Sequence, residues 1–189
     1  MKKLSLLPLL CVVLLTSCTK KTETTPEPNT ANVVSTQITQ PAAAKPDTIP
    51  DGAIVKIKLQ MDSASLDETL LEFKHSASGN YSSSQDAIYF QGFGIGSLSS
   101  RTCDGVYCAI QAVPFVPGKA IPLKVTTQKD GVYLLKTSYT KNIPPDKGIW
   151  LKDAYRKDSL NLRIWNYRFD VIKSDTNSFG VGRFSVVVR

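Results

Sequence analysis

Short runs in which apolar and polar residues alternate recur between residue 53 and residue 189 of this chain, and they strongly limit its possible folds. In the clearest run every second residue is apolar: Ala53, Val55, Ile57 and Leu59. Successive side chains of a β-strand point to opposite faces of the sheet, so this pattern is typical of a strand with one buried face.

Similar runs follow at intervals of about ten residues, separated by turn residues such as Lys129-Asp130-Gly131. The runs are 69–74, 86–91, 121–128, 132–139, 148–152, 160–165, 167–173 and 184–189. The segment 68–75 could form a short helix in isolation, but its neighbours on both sides have the strand pattern. The sequence therefore predicts an all-β fold, an antiparallel β-sandwich of about eight to ten strands with an immunoglobulin-like or jelly-roll-like arrangement.

The N-terminus has the parts of an export signal. Lys2 and Lys3 supply positive charge, residues 4–15 are almost wholly apolar, and small residues follow. A helix of about twelve residues is about 18 Å long, whereas the hydrocarbon core of a bilayer is about 30 Å thick. Residues 1–17 are therefore expected to be a removable signal peptide rather than a membrane span.

Leu15-Thr16-Ser17-Cys18 resembles the lipobox of bacterial lipoproteins. In that family the chain is cleaved before the cysteine and the new N-terminal residue is acylated, with palmitate among the acyl groups; the resemblance assigns this role to Cys18. Several acyl chains hold a protein at a bilayer permanently, whereas one chain binds only marginally. The alternative is an ordinary secretory signal in which the cysteine has no role.

Residues 18–50 have the composition of a flexible tether. From residue 19 to residue 50 there is no aromatic side chain, and five prolines lie among many threonines. Such a segment cannot bury enough apolar surface to offset the entropy of ordering. The expected organisation is a signal peptide (1–17), a lipidated cysteine with a disordered linker (18–50) and one β-domain (51–189).

Cys103 and Cys108 flank an Asp104-Gly105 turn between two strand-like runs. Exported chains fold in an oxidising compartment, and Asp-Gly favours a tight hairpin turn, so a disulfide between the two cysteines is predicted. A redox-active Cys-x-x-Cys site is not expected, because four residues separate the thiols.

Residues suited to catalysis or cofactor binding are sparse. The chain has one histidine, His75, and no Gly-x-Ser-x-Gly motif, so a Ser/His/Asp triad is not expected. Residues 92–96 lack the spacing of a phosphate-binding glycine loop, and Asp67 and Glu68 would point to opposite faces of a strand. We expect a protein that is not an enzyme and that takes no metal and no cofactor.

The formal charge of the chain is +7, and removal of residues 1–17 with their two lysines would leave +5. Residues 150–189 contain eight Lys/Arg against four Asp/Glu, but these charges are spread over several strands. Nucleic-acid binding calls for a dense basic stripe with interleaved aromatic side chains. No nucleic-acid partner is therefore expected.

Two tryptophans offer a candidate ligand platform. The alternation predicts that four side chains of the runs 148–152 and 160–165 point outward: Trp150, Lys152, Arg163 and Trp165. By the same alternation, Leu160, Leu162 and Ile164 point inward. Tryptophan rings beside cationic side chains can stack on a sugar ring or on a partner protein. The alternative is that a loop or the opposite sheet covers the tryptophans.

Four short motifs follow one another near the C-terminus. They are Ile149-Trp150-Leu151-Lys152-Asp153-Ala154-Tyr155, then Leu160 and Leu162, then Tyr167-Arg168-Phe169, and finally Arg183-Phe184-Ser185-Val186-Val187-Val188. Together they resemble the β-sandwich module found near the C-terminus of many secreted and surface proteins of Bacteroidota associated with type IX secretion. The resemblance implies a β-sandwich and an envelope location, and it carries no catalytic residue with it.

These features together predict a lipid-anchored β-sandwich of the outer membrane, on its periplasmic or its cell-surface face. As a non-catalytic binding or adhesion module, the protein would be held to the membrane by its N-terminal lipid and would recognise a glycan or an envelope protein. The alternative is a structural or accessory subunit that docks onto a larger outer-membrane complex.

Overall fold

The computed structural model describes residues 48–189, which are built almost wholly of β-strands. Eleven strands follow one another along this part of the chain: β1 (Ala53–Met61), β2 (Ala64–Phe73), β3 (Ala87–Ile88), β4 (Gly96–Arg101), β5 (Tyr107–Val113), β6 (Ile121–Thr127), β7 (Gly131–Lys141), β8 (Ile149–Asp153), β9 (Asp158–Asn161), β10 (Tyr167–Val171) and β11 (Gly180–Val188). A 3₁₀ turn at Thr176–Ser178 is the only helical element of the described range. The all-β prediction is confirmed.

Three predictions about the N-terminus fall outside the described residues. They concern the signal peptide (1–17), the lipidation of Cys18 and the linker (18–50), of which only the last three residues belong to the described part. Within residues 48–189, no helix has the length and apolarity needed to cross a membrane.

β1 shows why this sequence forms strands. Every second residue from Ala53 to Leu59 is fully buried, as the alternation predicts, and the side chains between them are partly exposed. Asp62 and Ser63 then adopt positive φ angles of 47° and 67°, which turn the chain directly into β2. The register of the resulting hairpin places Met61 opposite Ala64.

The strands form one hydrogen-bonded sheet in the order β10-β7-β1-β2-β5-β4-β6-β11-β8-β9, and β3 pairs with β5 beside this path. The strand pairs are antiparallel apart from β2 and β5, which run parallel over 70–73 and 110–113. The sheet is therefore mixed, and the prediction of a purely antiparallel arrangement is wrong at this pair. A parallel pair needs a long crossover, which the segment 74–106 provides.

The sheet curls so that strands far apart in its order share one core. The rings of Phe169 in β10 and Phe184 in β11 have centroids 4.7 Å apart. Most of the buried apolar residues, from Ile49 to Val188, form one contiguous cluster. Residues 48–189 thus contain a complete core of their own and are expected to fold as an independent unit.

β4 and β5 are the two strand-like runs on either side of the Asp104-Gly105 turn, but they lie outside the runs with a regular alternation. β4 reads Gly-Ser-Leu-Ser-Ser-Arg, yet its first five residues are all buried. The reason is close packing: a Cβ placed on Gly96 would lie 2.7 Å from the Cδ1 of Leu66, so only a minimal side chain fits. The backbone N–H of Leu98 also donates to Asp67 Oδ2 at 2.8 Å, which holds β4 beside β2.

The predicted strand 160–165 is shorter in the structure. β9 ends at Asn161, whose backbone carbonyl accepts from the N–H groups of both Ile164 (3.1 Å) and Trp165 (3.0 Å). These bonds turn the chain, so the alternation no longer applies beyond Asn161. Ile164 is consequently 67% exposed, and its predicted inward orientation is wrong.

Candidate functional site

The candidate ligand platform begins on the outer face of β8. Ile149 and Leu151 are fully buried, and Trp150 and Lys152 lie on the opposite face, partly exposed and exposed respectively. The orientation of these two platform residues is that expected from the alternation. Lys152 stands opposite Ser185 of β11 and Ser159 of β9, so small polar side chains surround it.

The indole of Trp150 is held by its neighbours. The guanidinium of Arg189 lies 5.0 Å from the ring centroid, a cation–π geometry. Reciprocal backbone hydrogen bonds between Gly148 and Arg189, of 2.7 and 3.2 Å, fix Arg189 in this place. A Cβ on Gly148 would overlap the indole nitrogen of Trp150, so glycine is what allows the ring to lie so close to the backbone. Trp150 is therefore part of a packed surface, with one side of its ring occupied by Arg189.

Arg163 does not belong to the platform as predicted. Its Nη1 donates to the carbonyl oxygens of Pro144 (2.6 Å) and Lys147 (2.8 Å), and its Nη2 donates to that of Ile143 (3.3 Å). The Nη1 and Nη2 donors of the guanidinium are thus engaged by three backbone carbonyl groups of one loop. Arg163 therefore clamps the loop between β7 and β8, and a role as a ligand-binding cation is not what this geometry supports.

Trp165 is the more exposed of the two tryptophans of the predicted platform. Its side chain is 64% exposed, beside Ile164 at 67%. Trp165 and Trp150 both adjoin Asn161: Trp150 stands opposite Asn161 in the β8–β9 pair, and Trp165 donates its backbone N–H to the Asn161 carbonyl. The structure thus reduces the platform to Trp165 with Ile164, the open part of Trp150, and Lys152.

A second group of residues, the motif cluster, is buried in the core: Asp153, Tyr167 and Arg183. The Nε of Arg183 lies 3.2 and 3.1 Å from the two carboxylate oxygens of Asp153, and its Nη2 lies 2.9 Å from Oδ2. The Tyr167 hydroxyl donates to the same Oδ2 at 3.0 Å. The side chains of Arg183 and Asp153 are 1% and 0% exposed, so this ion pair is withdrawn from water.

The polar atoms of the motif cluster are satisfied. Asp153 Oδ1 also accepts from the backbone N–H groups of Tyr155 and Arg156, and Nη1 of Arg183 donates to the carbonyl oxygens of Asp170 and Ser178. Burial by itself would raise the pKa of Asp153, but the hydrogen bonds from Arg183, Arg156 and Tyr167 outweigh it and hold that pKa below its ordinary value. The carboxylate is therefore ionised and fully engaged.

Aromatic rings enclose the guanidinium of Arg183. Its central carbon lies 4.9 Å from the ring centroids of Tyr155 and Phe169 and 4.7 Å from that of Phe184. The three strand motifs quoted above therefore meet at one place, since β8 supplies the aspartate, β10 the tyrosine and a phenylalanine, and β11 the arginine and a phenylalanine. Their joint role is to hold the strands together.

Cys103 and Cys108 are not bonded to each other in the structure. Cys108 is buried in β5, where its pKa is raised to about 11, chiefly by burial, with a further contribution from Asp86 and Asp104. Cys103 is exposed, and its sulfur packs toward Gly79, whose carbonyl accepts the Cys103 N–H at 2.9 Å. The two side chains thus occupy different surroundings, and the predicted disulfide is absent from this structure.

His75 lies at the surface, with its Nδ1 3.6 Å from Asp51 Oδ1 and its backbone N–H bonded to the same oxygen at 2.7 Å. This contact joins the start of β1 to the end of β2. Among the described residues, no three His, Cys, Asp or Glu side chains are grouped closely enough to hold a metal ion.

The chain matches no protein-family model, no curated protein and no solved structure. The candidate function therefore has to be argued from the described residues themselves.

Proposed function

We propose that this protein is a lipid-anchored, non-catalytic binding or adhesion module of the bacterial outer membrane, which recognises a glycan or an envelope protein through the platform. The observation that carries the proposal is the 64% exposure of the Trp165 side chain on a turn that is otherwise well fixed. Stacking of a large exposed indole on a ligand is favourable, and such binding requires no rearrangement of the core.

The rigidity of the turn supports recognition. Asn161 Oδ1 accepts from the backbone N–H groups of Ile149 (3.1 Å) and Arg163 (3.0 Å), so the turn that carries Trp165 is tied to β8. Arg163 in turn holds the neighbouring loop through three carbonyl groups. An aromatic side chain on a preorganised turn loses little conformational entropy on binding.

The proposal includes a β-sandwich fold that is similar to the Bacteroidota surface module. The curled sheet supports a β-sandwich, and the meeting of the Leu-Lys-Asp, Tyr-Arg-Phe and Arg-Phe motifs in one core supports the resemblance to the Bacteroidota surface module. The motif residues would then serve the fold, and recognition would fall to turns and loops such as the one that carries Trp165.

A direct test uses the fragment 48–189 on an immobilised panel of envelope polysaccharides. We expect saturable binding that Trp165→Ala abolishes and that Tyr139→Ala leaves intact, because Tyr139 is an exposed aromatic side chain on β7, a strand that pairs with β1 and β10 and not with β8 or β9. Binding that is the same for both variants would refute the platform.

The alternative of an accessory subunit makes a different prediction. Two exposed apolar sites, the Ile164–Trp165 turn and the loop between β3 and β4, would then be covered by other subunits. Stoichiometric co-purification of the full-length protein with other outer-membrane proteins, together with no glycan binding by the fragment, would favour this alternative.

A further inference from the structure

The loop that joins β3 to β4, residues 89–95, is here called the aromatic loop. It carries two phenylalanines with almost no protein contact: Phe90 is 84% exposed and Phe93 is 106% exposed. These are the most exposed large apolar side chains of the described range. Single exposed apolar residues are common, but two such rings three positions apart are a concentrated apolar surface.

Both ends of the aromatic loop are fixed. At its start, the Tyr89 N–H donates to the Tyr107 carbonyl at 2.8 Å, and its hydroxyl donates to Asp67 Oδ2 at 2.5 Å. At its end, the backbone N–H of Gln128 donates to the Ile95 carbonyl at 2.7 Å, and the Gln128 amide donates to that of Gly94 at 3.2 Å. The loop is thus held out from the sheet at defined points, with Phe90 and Phe93 between them.

The segment around the aromatic loop carries no charge. From residue 87 to residue 100 there is no Asp, Glu, Lys or Arg, although 21% of the chain is charged. A surface loop with this composition is costly to leave in water and favours an apolar surrounding. The absence of charged side chains also removes the largest cost of entering a lipid interface.

The aromatic loop lies at one end of the domain. Gln128, to which it is bonded, leads into β7, and a Cβ on Gly131 at the start of β7 would lie 2.8 Å from Met61 Cε, at the end of β1. The described chain enters at the opposite end of β1, whose nine residues extend about 30 Å. The loop is therefore a tip that can approach a flat surface.

We infer that the aromatic loop inserts Phe90 and Phe93 into the interfacial region of a lipid bilayer. The inference adds a second membrane contact to the proposed lipid anchor, on which it rests for the presence of a nearby bilayer. The thirty residues 18–47 span at most about 100 Å, which exceeds the length of β1, so a domain anchored at Cys18 can bring its tip to the same membrane. A bilayer fits the aromatic loop better than a protein pocket does, because residues 87–100 carry no charged side chain that would have to leave water or that could pair with a protein partner.

The charges near the tip are of both signs. Lys129 and Lys173 lie close to the turn after β6, and Asp130 accepts the Lys173 N–H there, with Asp62 in the neighbouring hairpin turn. The attraction to anionic headgroups is therefore small, and binding should depend on the rings. We expect similar partitioning into phosphatidylcholine vesicles with and without phosphatidylglycerol, and little change with added salt.

The test is sedimentation of the fragment 48–189 with phosphatidylcholine vesicles, which needs no acyl anchor. Phe90→Ser and Phe93→Ser should each lower the partition coefficient about tenfold, since burial of a phenylalanine ring contributes at least that factor. Tyr139→Ser, the matched removal of an exposed aromatic side chain from β7, should leave partitioning unchanged. All three variants should unfold at the urea concentration of the unsubstituted fragment, because the replaced side chains are exposed.

Three results would overturn the inference: an unsubstituted fragment that does not sediment with vesicles, a Phe90→Ser/Phe93→Ser fragment that sediments as well as the unsubstituted one, or a Phe-dependent complex with another protein in the absence of vesicle binding. The proposed anchor is judged separately, by mass spectrometry of the acylated Cys18 peptide from the full-length protein. A chain without acylation at Cys18 would refute the anchor and leave the vesicle result of the fragment standing.

Discussion

The two faces of β8 have opposite roles. Inward, Asp153 forms an ion pair whose side chains are at most 1% exposed and whose polar atoms are bonded. On the outward face, Trp150 stands opposite Asn161, the residue at which the turn to Trp165 begins, and Trp165 is 64% exposed. The most recognisable motifs of the sequence therefore stabilise the core, and the side chains available to a ligand come from a turn with little pattern.

Removal of one partner of the buried ion pair should have the largest effect on stability. Arg183→Met leaves the Asp153 carboxylate buried without its cation, which typically costs about 3–5 kcal/mol of unfolding free energy. Urea unfolding of the fragment 48–189 measures the loss. The double variant Asp153→Leu/Arg183→Met leaves no uncompensated charge and should recover much of it; a single variant that loses less than about 1 kcal/mol would place the cluster outside the stabilising core.

Tyr167→Phe removes one hydrogen bond from the cluster and keeps the ring. Because the hydroxyl donates to a charged carboxylate, we expect a loss of about 1.5–3 kcal/mol at neutral pH. Burial, followed by the bond to Asp153, raises the pKa of Tyr167 to about 12. The stabilisation by this hydroxyl is therefore complete below the unfolded pKa near 10 and is lost as the pH rises through about 12.

Unfolding at alkaline pH is the control for the Tyr167→Phe prediction. The difference in unfolding free energy between the unsubstituted fragment and Tyr167→Phe should shrink as the pH rises above about 10. A difference that stays constant to the folded pKa of about 12 would contradict the hydrogen bond as its source.

Arg163→Ala tests whether Arg163 stabilises the loop 143–147 or binds a ligand. Loss of the bonds to the carbonyl oxygens of Ile143, Pro144 and Lys147 should cost about 1 kcal/mol, because the bonds to Pro144 and Lys147 are exposed and water can replace part of the donor. Amide hydrogen exchange in the loop 143–147 should become faster. Unchanged exchange combined with lost ligand binding would instead make Arg163 a ligand-binding residue.

Trp165→Ala should have the smallest effect on stability. An exposed side chain outside the core usually changes the unfolding free energy by no more than about 0.5 kcal/mol. Coincident urea transitions of the variant and the unsubstituted fragment would agree with this. A loss above about 1 kcal/mol would show that the indole packs as part of the fold.

Much of the fold follows from the sequence because its strands have one buried face. The alternation in β1 and β8 places the correct residues inside, and continuing it from Ile149 and Leu151 puts Asp153 on the core side. Arg183, the ion-pair partner of Asp153, is harder to predict from the sequence. β11 has an irregularity between Val181 and Phe184, and both Arg183 and Phe184 are therefore buried although they are adjacent. No period-two pattern contains such a shift.

The remaining differences have local causes. β4 lacks the regular alternation because close packing at Gly96 selects small residues in place of large apolar ones. Arg163 leaves the predicted platform because β9 ends at Asn161 and the chain turns. The exposure of Phe90 and Phe93 depends on where a glycine-rich loop is held, which is set by long-range bonds such as those of Gln128.

We propose that stability depends on the inward face of β8, where Asp153 lies, and recognition on the turn after β9 that carries Trp165. The most direct test is glycan binding measured in parallel for Trp165→Ala and Tyr167→Phe, with urea unfolding of each. We expect Trp165→Ala to lose binding at unchanged stability and Tyr167→Phe to lose stability at unchanged affinity. Retained binding by Trp165→Ala, or lost affinity in folded Tyr167→Phe, would contradict it.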